Sequence, residues 1–265
     1  LGRHLDGAAG AGRCGEGATG ALTIVGVPTR WVGAGDGPWV THQAALALAV
    51  AVDQDLGAVT WGPTGFPLAG PDAGEFLDFL AWHGLTSLWL QACERLGLME
   101  EMAPGIAGQL VNVDRAARVL SMAQGHAVRQ LGAALDAQAI PFAVLKGVAI
   151  RDEIYAMAHQ RPATDVDLLV RPQDRQRTGE LLAAQGFVHT GDRSSAHEET
   201  WQRGSVDLDL HWDVLAPGRT RRPLVDELLA RRTRPKQLWR LGDEDTVALM
   251  LLHPAVTKYV CSPHV

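Results

Sequence analysis

Residues 164–170 read TDVDLLV and residues 206–213 read VDLDLHWD. In an extended chain, successive side chains point to opposite faces. Val166, Leu168 and Val170 then share one side of the first segment, and Asp165, Asp167 and Leu169 the other. In the second segment Val206, Leu208, Leu210 and Trp212 oppose Asp207, Asp209, His211 and Asp213. Two such strands in one sheet, with their apolar sides on a common core, must bring their acidic sides together. Clustered carboxylates repel one another unless protons or cations neutralise them. Carboxylates at i and i+2 are about 6.6 Å apart along the backbone. Their side chains can converge on two divalent ions roughly 3.5–4 Å apart, the geometry of in-line phosphoryl chemistry. An all-oxygen set suits Mg²⁺ or Mn²⁺ rather than zinc. The alternative is the solvated face of an amphipathic sheet. Against it, aspartate is a poor strand former, yet it stands at the centre of both segments.

Working outward, Phe142 to Leu145 reads as a short apolar strand, followed by a turn at Lys146-Gly147 and a helix from Val148 to about Met157. Pro172 to Gln185 reads as a helix stopped by Gly186, and Glu199–Arg203 pairs with Val206–Asp213 as a hairpin through Gly204. Upstream, Phe76, Phe79, Leu80 and His83 follow helical spacing after Asp72, a candidate cap. Leu85 to Leu96 gives a second helix ended by Gly97. Ala107 to Ala139 is a long third one, with apolar positions at Ala116, Val119, Leu120, Val128, Leu131 and Leu135 and an expected interruption at Gly125. Two more helices are expected between Arg222 and Leu252. The class is α+β, a small mixed β-sheet with helices on one face plus a helical amino-terminal part.

Glycine is dense over the first 70 or so residues and makes ordering entropically costly, with only Trp39 to Val52 suited to a short apolar helix. The expected division is a poorly ordered glycine-rich leader over 1–70, a helical subdomain over 71–140, a sheet domain over 141–215 and carboxy-terminal helices over 216–265. After Leu252 the helical period is lost, which predicts an exposed apolar surface at Leu249, Met250 and Leu252, either from a truncated domain or under a protein partner.

The 265 residues, 46% hydrophobic and 20% charged, suffice for a real core. The longest apolar run, Ala44 to Val52, falls far short of the ~20 residues that span a bilayer, so no membrane association is expected. A net charge of −6 argues against a wholesale basic nucleic-acid coat. Cys14, Cys93 and Cys261 are too scattered for a disulfide framework or a zinc site, and a reduced, cytoplasmic setting is expected. The chain starts at Leu1, with no basic start and apolar core of a secretory signal.

Four stretches in order, AIPFAVLKGVAI (139–150), RPATDVDLLVRPQD (161–174), AAQGF (183–187) and VDLDLHWD (206–213), resemble the uncharacterised bacterial nucleotidyltransferase family of the DNA polymerase β superfamily. The similarity covers about Glu75 to His253, and HGLTSLWLQACERLG (83–97) is similar to that family's amino-terminal helices. The resemblance implies a polymerase β-like nucleotidyltransferase fold. It makes Asp165 and Asp167 the metal-binding pair, Asp209 the third carboxylate, Gly147 the turn glycine against a triphosphate and Lys146 its adjacent cation. Val148 stands where a hydroxyl often follows that glycine, and the gap from Gly147 to Asp165 is longer than in the smallest members. The implied reaction moves a nucleoside monophosphate from an NTP to a hydroxyl on a small molecule, a protein or an RNA, with Mg²⁺ or Mn²⁺. A non-catalytic nucleotide-binding module and a metal-dependent phosphohydrolase are the competing readings.

Single residues keep alternatives. A glycine at a strand-to-helix junction admits phosphate to backbone N–H groups. Lys146 either adds a point charge there or snorkels at the surface. Arg161 either clamps a phosphate or pairs with Asp165 or Asp167. His211 orients a carboxylate, touches nucleotide or is a satisfied half-buried histidine. His253 reads as structural, and Trp212 and Trp239 as core or rim aromatics, with stacking on a base as the alternative. The basic residues from Arg219 to Arg240 either bind RNA or polyphosphate or form a solvated face.

Overall fold

The structure, a computed structural model, describes residues 65–191 and 197–254. The apolar helix expected over Trp39–Val52 lies outside the described residues, as do Cys14 and Cys261.

Three helices come first: α1 (Ala73–Trp82), α2 (Thr86–Leu96) and α3 (Ile106–Ala137). In α1 the expected stripe holds for Phe76, Phe79 and Leu80, which are buried, whereas His83 lies exposed just past the helix. Asp72 precedes α1 but makes no side-chain cap. Gly97 takes a left-handed φ of 72° and ends α2, a conformation that costs glycine nothing. Phe76 meets Trp89 edge to face at 5.0 Å in the centre of this helical core. Phe66 and Leu68 are buried in the same core, so packing begins ahead of residue 70.

Helix α3, 32 residues long, joins two cores. Ile106 and Leu110 enter the helical core, while Val128, Leu131 and Leu135 enter the core under the sheet. Between them the buried residues are Asp114, Ser121 and Gln124. Ala116 and Val119, expected inside, face solvent. No interruption occurs at Gly125, since a glycine costs a helix only about 1 kcal/mol relative to alanine and α3 is held at both ends.

The remaining elements are β1 (Phe142–Val144), α4 (Lys146–Ile154), β2 (Asp165–Val170), α5 (Arg175–Ala184), β3 (Val188–His189), β4 (Glu198–Arg203), β5 (Val206–His211), α6 (Val225–Ala230) and α7 (Asp243–Pro254). The five strands form one sheet in the order β1-β2-β5-β4-β3, in which β2 and β5 are parallel and the other pairs antiparallel. This confirms the mixed sheet. One of its faces, with Phe142, Val144, Val166, Leu168, Val170, Val206, Leu208 and Leu210, packs on α3 and α5.

The other face is not bare, which corrects the expectation of helices on one side only. Ala143, Leu145 and Leu169 pack there with Val225, Leu228, Leu229, Leu241 and Leu249, from α6, α7 and their connection. Leu249, expected at the surface, is thereby buried, while Met250 and Leu252 are exposed as expected. Strand β5 ends at His211, so Asp213 is not on the acidic face; its Oδ1 accepts the Val214 backbone N–H instead, at 2.8 Å. No helix among the described residues is long and apolar enough to cross a membrane.

Candidate active site

The second core covers only the Leu169 end of that face, and the acidic residues occupy the rest. Register does what alternation requires: Asp165 lies opposite Asp207 and Asp167 opposite Asp209 on the parallel pair. Antiparallel β4 adds Glu198 opposite His211, Thr200 opposite Asp209 and Gln202 opposite Asp207. Central strands hold these positions firmly, and the Leu145 N–H donates to the Asp167 carbonyl at 2.9 Å.

Asp167 is the hub. The residue is 7% exposed, and its Oδ1 accepts from Lys146 Nζ at 2.9 Å and faces His211 Nε2 at 3.0 Å. Burial alone opposes ionisation, but the His211 hydrogen bond and the Lys146 charge outweigh it and hold this carboxyl below its ordinary range. The other two carboxyls go the opposite way. Burial and the charges of Asp167 and Asp209 push Asp165 up, and burial pushes Asp209 up against the Thr200 hydroxyl that donates to its Oδ1 at 2.8 Å. Asp207 accepts from Gln202 Nε2 at 2.8 Å near the surface.

Asp167, Asp209 and His211 each place one donor atom within 4.8 Å of the others, a grouping that fits a cation. Asp165 shares the face but is not part of that group. His211 is 4% exposed, with its Nδ1 buried, 3.3 Å from Glu198 Oε2 and not aligned for a hydrogen bond. His211 is therefore a contact of the central carboxylate, one of the roles its position allowed.

The turn expected at Lys146-Gly147 forms the first residues of α4. The left-handed φ, 47°, falls on Lys146 rather than on the glycine. Space favours glycine at 147: a Cβ there would stand 3.1 Å from that of Ala163. The Ala163 carbonyl accepts from Gln124 Nε2 at 2.9 Å, and Gln124 Oε1 accepts from Arg151 Nη1 at 2.6 Å. This buried strut fixes the segment leading into β2 against α3 and α4. Arg161 forms no ion pair with Asp165 or Asp167 among the described residues, and its Nε is buried without a hydrogen-bond partner.

Glu198 and Thr200 are not among the residues the sequence singles out: the strand expected from Glu199 excludes Glu198, and it contains Thr200 without marking it as part of the acidic face. A signal existed. The two-residue turn at Gly204-Ser205 pairs Arg203 with Val206, and counting back from it places Thr200 beside Asp209 and Glu198 beside His211. Glu199 itself points to the core side, where its Oε2 accepts from Arg175 Nη2 at 2.8 Å. Trp212 stacks under the Arg175 guanidinium at 3.7 Å, and the Trp239 indole N–H donates to Asp136 at 3.0 Å, both structural roles. Four of the eight cations in the basic stretch are paired with carboxylates: Arg222 with Glu227, Arg231 with Asp245, Arg234 with Asp136 and Arg240 with Glu153.

No curated protein matches the chain. Among solved structures, a crystal structure of ANT(2'')-Ia in complex with adenylyl-2''-tobramycin is similar at 14% identity over 54% of this chain and 82% of that one, with a TM-score of 0.39. A solution structure of the antibiotic-resistance factor ANT(2'')-Ia is similar at 12% identity over 54% and 78%, with a TM-score of 0.38. A family model described as uncharacterised nucleotidyltransferase matches residues 69–261. That span holds the whole sheet and every residue of the acidic face, and the chain belongs to this nucleotidyltransferase family.

Proposed function

We propose that the protein transfers a nucleoside monophosphate from an NTP to an acceptor hydroxyl. The acceptor oxygen bonds to the α-phosphorus, the bond from that phosphorus to the bridging oxygen breaks, and pyrophosphate leaves. The observation that carries this reading is the pairing of Asp167 with Asp209 on adjacent parallel strands, beside Lys146, in a chain of a nucleotidyltransferase family. Asp165, Asp167 and Asp209 would hold Mg²⁺ or Mn²⁺, which when bound supplies charge neutralisation at the phosphates and lowers the pKa of a bound hydroxyl.

The other roles belong to the chain's own groups. Lys146 and Arg161 neutralise phosphate oxygens, the latter with a guanidinium whose Nε has no hydrogen-bond partner among the described residues. Gly147, in the first turn of α4, would offer its backbone N–H and those beside it to a phosphate. Asp209, with one oxygen on Thr200, completes the cation site and accepts the acceptor's proton. The pairing of four arginines of the basic stretch with acidic neighbours favours a small-molecule or protein hydroxyl over an RNA end.

The test is incubation of the full chain with each NTP, Mg²⁺ or Mn²⁺ and a panel of hydroxyl compounds. Pyrophosphate release that requires an acceptor is the expected result. Acceptor-free inorganic phosphate would make the protein a hydrolase, and nucleotide binding without turnover would make it a binding module.

A further inference from the structure

His211 is an unusual residue to bury on an acidic face. Its Nε2 lies 3.0 Å from Asp167 Oδ1, and its donor atom, with those of Asp167 and Asp209, falls within 4.8 Å of the others. Two donor atoms about 2.1 Å from one ion, at right angles to each other, are about 3 Å apart. The Asp167–His211 spacing is therefore that of neighbouring ligands on one cation as well as that of a hydrogen bond.

The far side of the ring separates these uses. A metal-ligating imidazole characteristically turns its other nitrogen toward a carboxylate or carbonyl, which fixes the tautomer and leaves the inner nitrogen's lone pair free for the ion. Here Nδ1 is buried without a hydrogen-bond partner among the described residues, 3.3 Å from Glu198 Oε2. Glu198 also lies 3.5 Å from His197 Nε2, so its carboxylate is placed from two sides. Carboxylate, imidazole and a cluster of two further carboxylates stand in sequence across β4, β5 and β2.

We propose that His211 is a direct ligand of the cation, through Nε2, with Glu198 as its positioning residue, and that the site consequently prefers Mn²⁺ to Mg²⁺. Mg²⁺ keeps to oxygen donors, whereas affinity for a site that includes nitrogen rises along the first-row series that begins at Mn²⁺. This deepens the metal assignment on which the proposed transfer rests, and it replaces the all-oxygen set expected from the sequence with a mixed one.

The experiment uses the full chain and the metal alone, without nucleotide. Calorimetric titration with Mn²⁺ and with Mg²⁺ gives the affinity ratio, and electron spin echo envelope modulation of the bound Mn²⁺ reports a coordinated ¹⁴N. The expected result is ¹⁴N modulation and at least about tenfold tighter binding of Mn²⁺. His211→Asp, which restores an oxygen donor, is expected to lose the modulation and narrow the ratio. Glu198→Gln keeps the modulation and weakens Mn²⁺ about tenfold, the usual scale for loss of a ligand's supporting carboxylate. Should His211→Asp fail to fold, the wild-type spectrum and Glu198→Gln still decide. Bound Mn²⁺ without ¹⁴N modulation, an unchanged ratio in folded His211→Asp, or no Mn²⁺ binding at all would overturn the proposal. A chain that shows the modulation but transfers no nucleotide would keep the metal site and lose the reaction.

Discussion

Lys146 Nζ donates to Asp167 Oδ1 across 2.9 Å, tying the residue at the start of α4 to the centre of β2. The same oxygen faces His211 Nε2 at 3.0 Å. One carboxylate of the acidic face is thus held ionised by protein groups, while its neighbours Asp165 and Asp209 are pushed toward the protonated form.

Lys146→Met removes the charged donor and leaves Asp167 buried with one contact fewer. Hydrogen bonds to charged groups contribute about 1.5–3 kcal/mol, and a loss in that range is expected in urea unfolding at pH 7. A variant as stable as the parent would mean that the pair contributes little.

The three aspartates differ in the sign of their effect on stability without added cation. Asp165 and Asp209 have folded pKa values above the ordinary 3.8, so they cost stability as pH rises from about 3.8 through those raised values. Asp167 is lowered, so its contribution is present above 3.8 and is lost as pH falls through its folded value. Asp165→Asn and Asp209→Asn are therefore expected to melt higher than the parent at pH 7, and Asp167→Asn lower, with the differences shrinking on acidification. Relief of charge repulsion, which alternation alone leads one to expect at Asp167, applies to its neighbours instead. Thermal melts of the three variants at neutral and acid pH check this ordering.

Gly147→Ala would force a Cβ to within 3.1 Å of the Ala163 side chain. Overpacking of this kind costs about 1–3 kcal/mol. The companion change Ala163→Gly vacates the space, so the double variant is expected to recover part of the loss. A double-mutant cycle with no coupling would show that the close approach is not what selects glycine.

Asp209 and Asp207 share a strand face but not a neighbourhood. Asp209 adjoins Asp167 and Asp207 adjoins Asp165, with its carboxylate bound to Gln202 near the surface. Asp209→Ala is expected to lower turnover by several orders of magnitude. Asp207→Ala is expected to change it less than about tenfold, or ~1.4 kcal/mol in barrier. The reverse ranking in steady-state kinetics would place the reacting phosphate at the other end of the face.

The acidic face was legible because period-two alternation, once β2 and β5 neighbour each other, leaves no other place for Asp165, Asp167, Asp209 and His211. What escaped depends on partners distant in the chain. Ala116 and Val119 form a helical stripe as good as any, but α3 turns Asp114 inward beside Arg118 and His159, and Gln124 inward where Arg151 and the Ala163 carbonyl supply polar partners, with Arg151 also donating to the Ser121 carbonyl. Leu249 is buried because Leu169 and Ala143 need cover on the second face, which no local pattern reveals. Glu198 was lost through a strand started one residue late, and Asp213 was included by a strand run two residues too far.

The most direct test of the central claim compares the parent with Asp167→Asn in an acceptor-dependent pyrophosphate-release assay at saturating NTP and Mn²⁺, with circular dichroism to confirm that the variant is folded at the assay temperature. The account predicts release by the parent and a loss of several orders of magnitude in the folded variant. Equal turnover by the two proteins would contradict it.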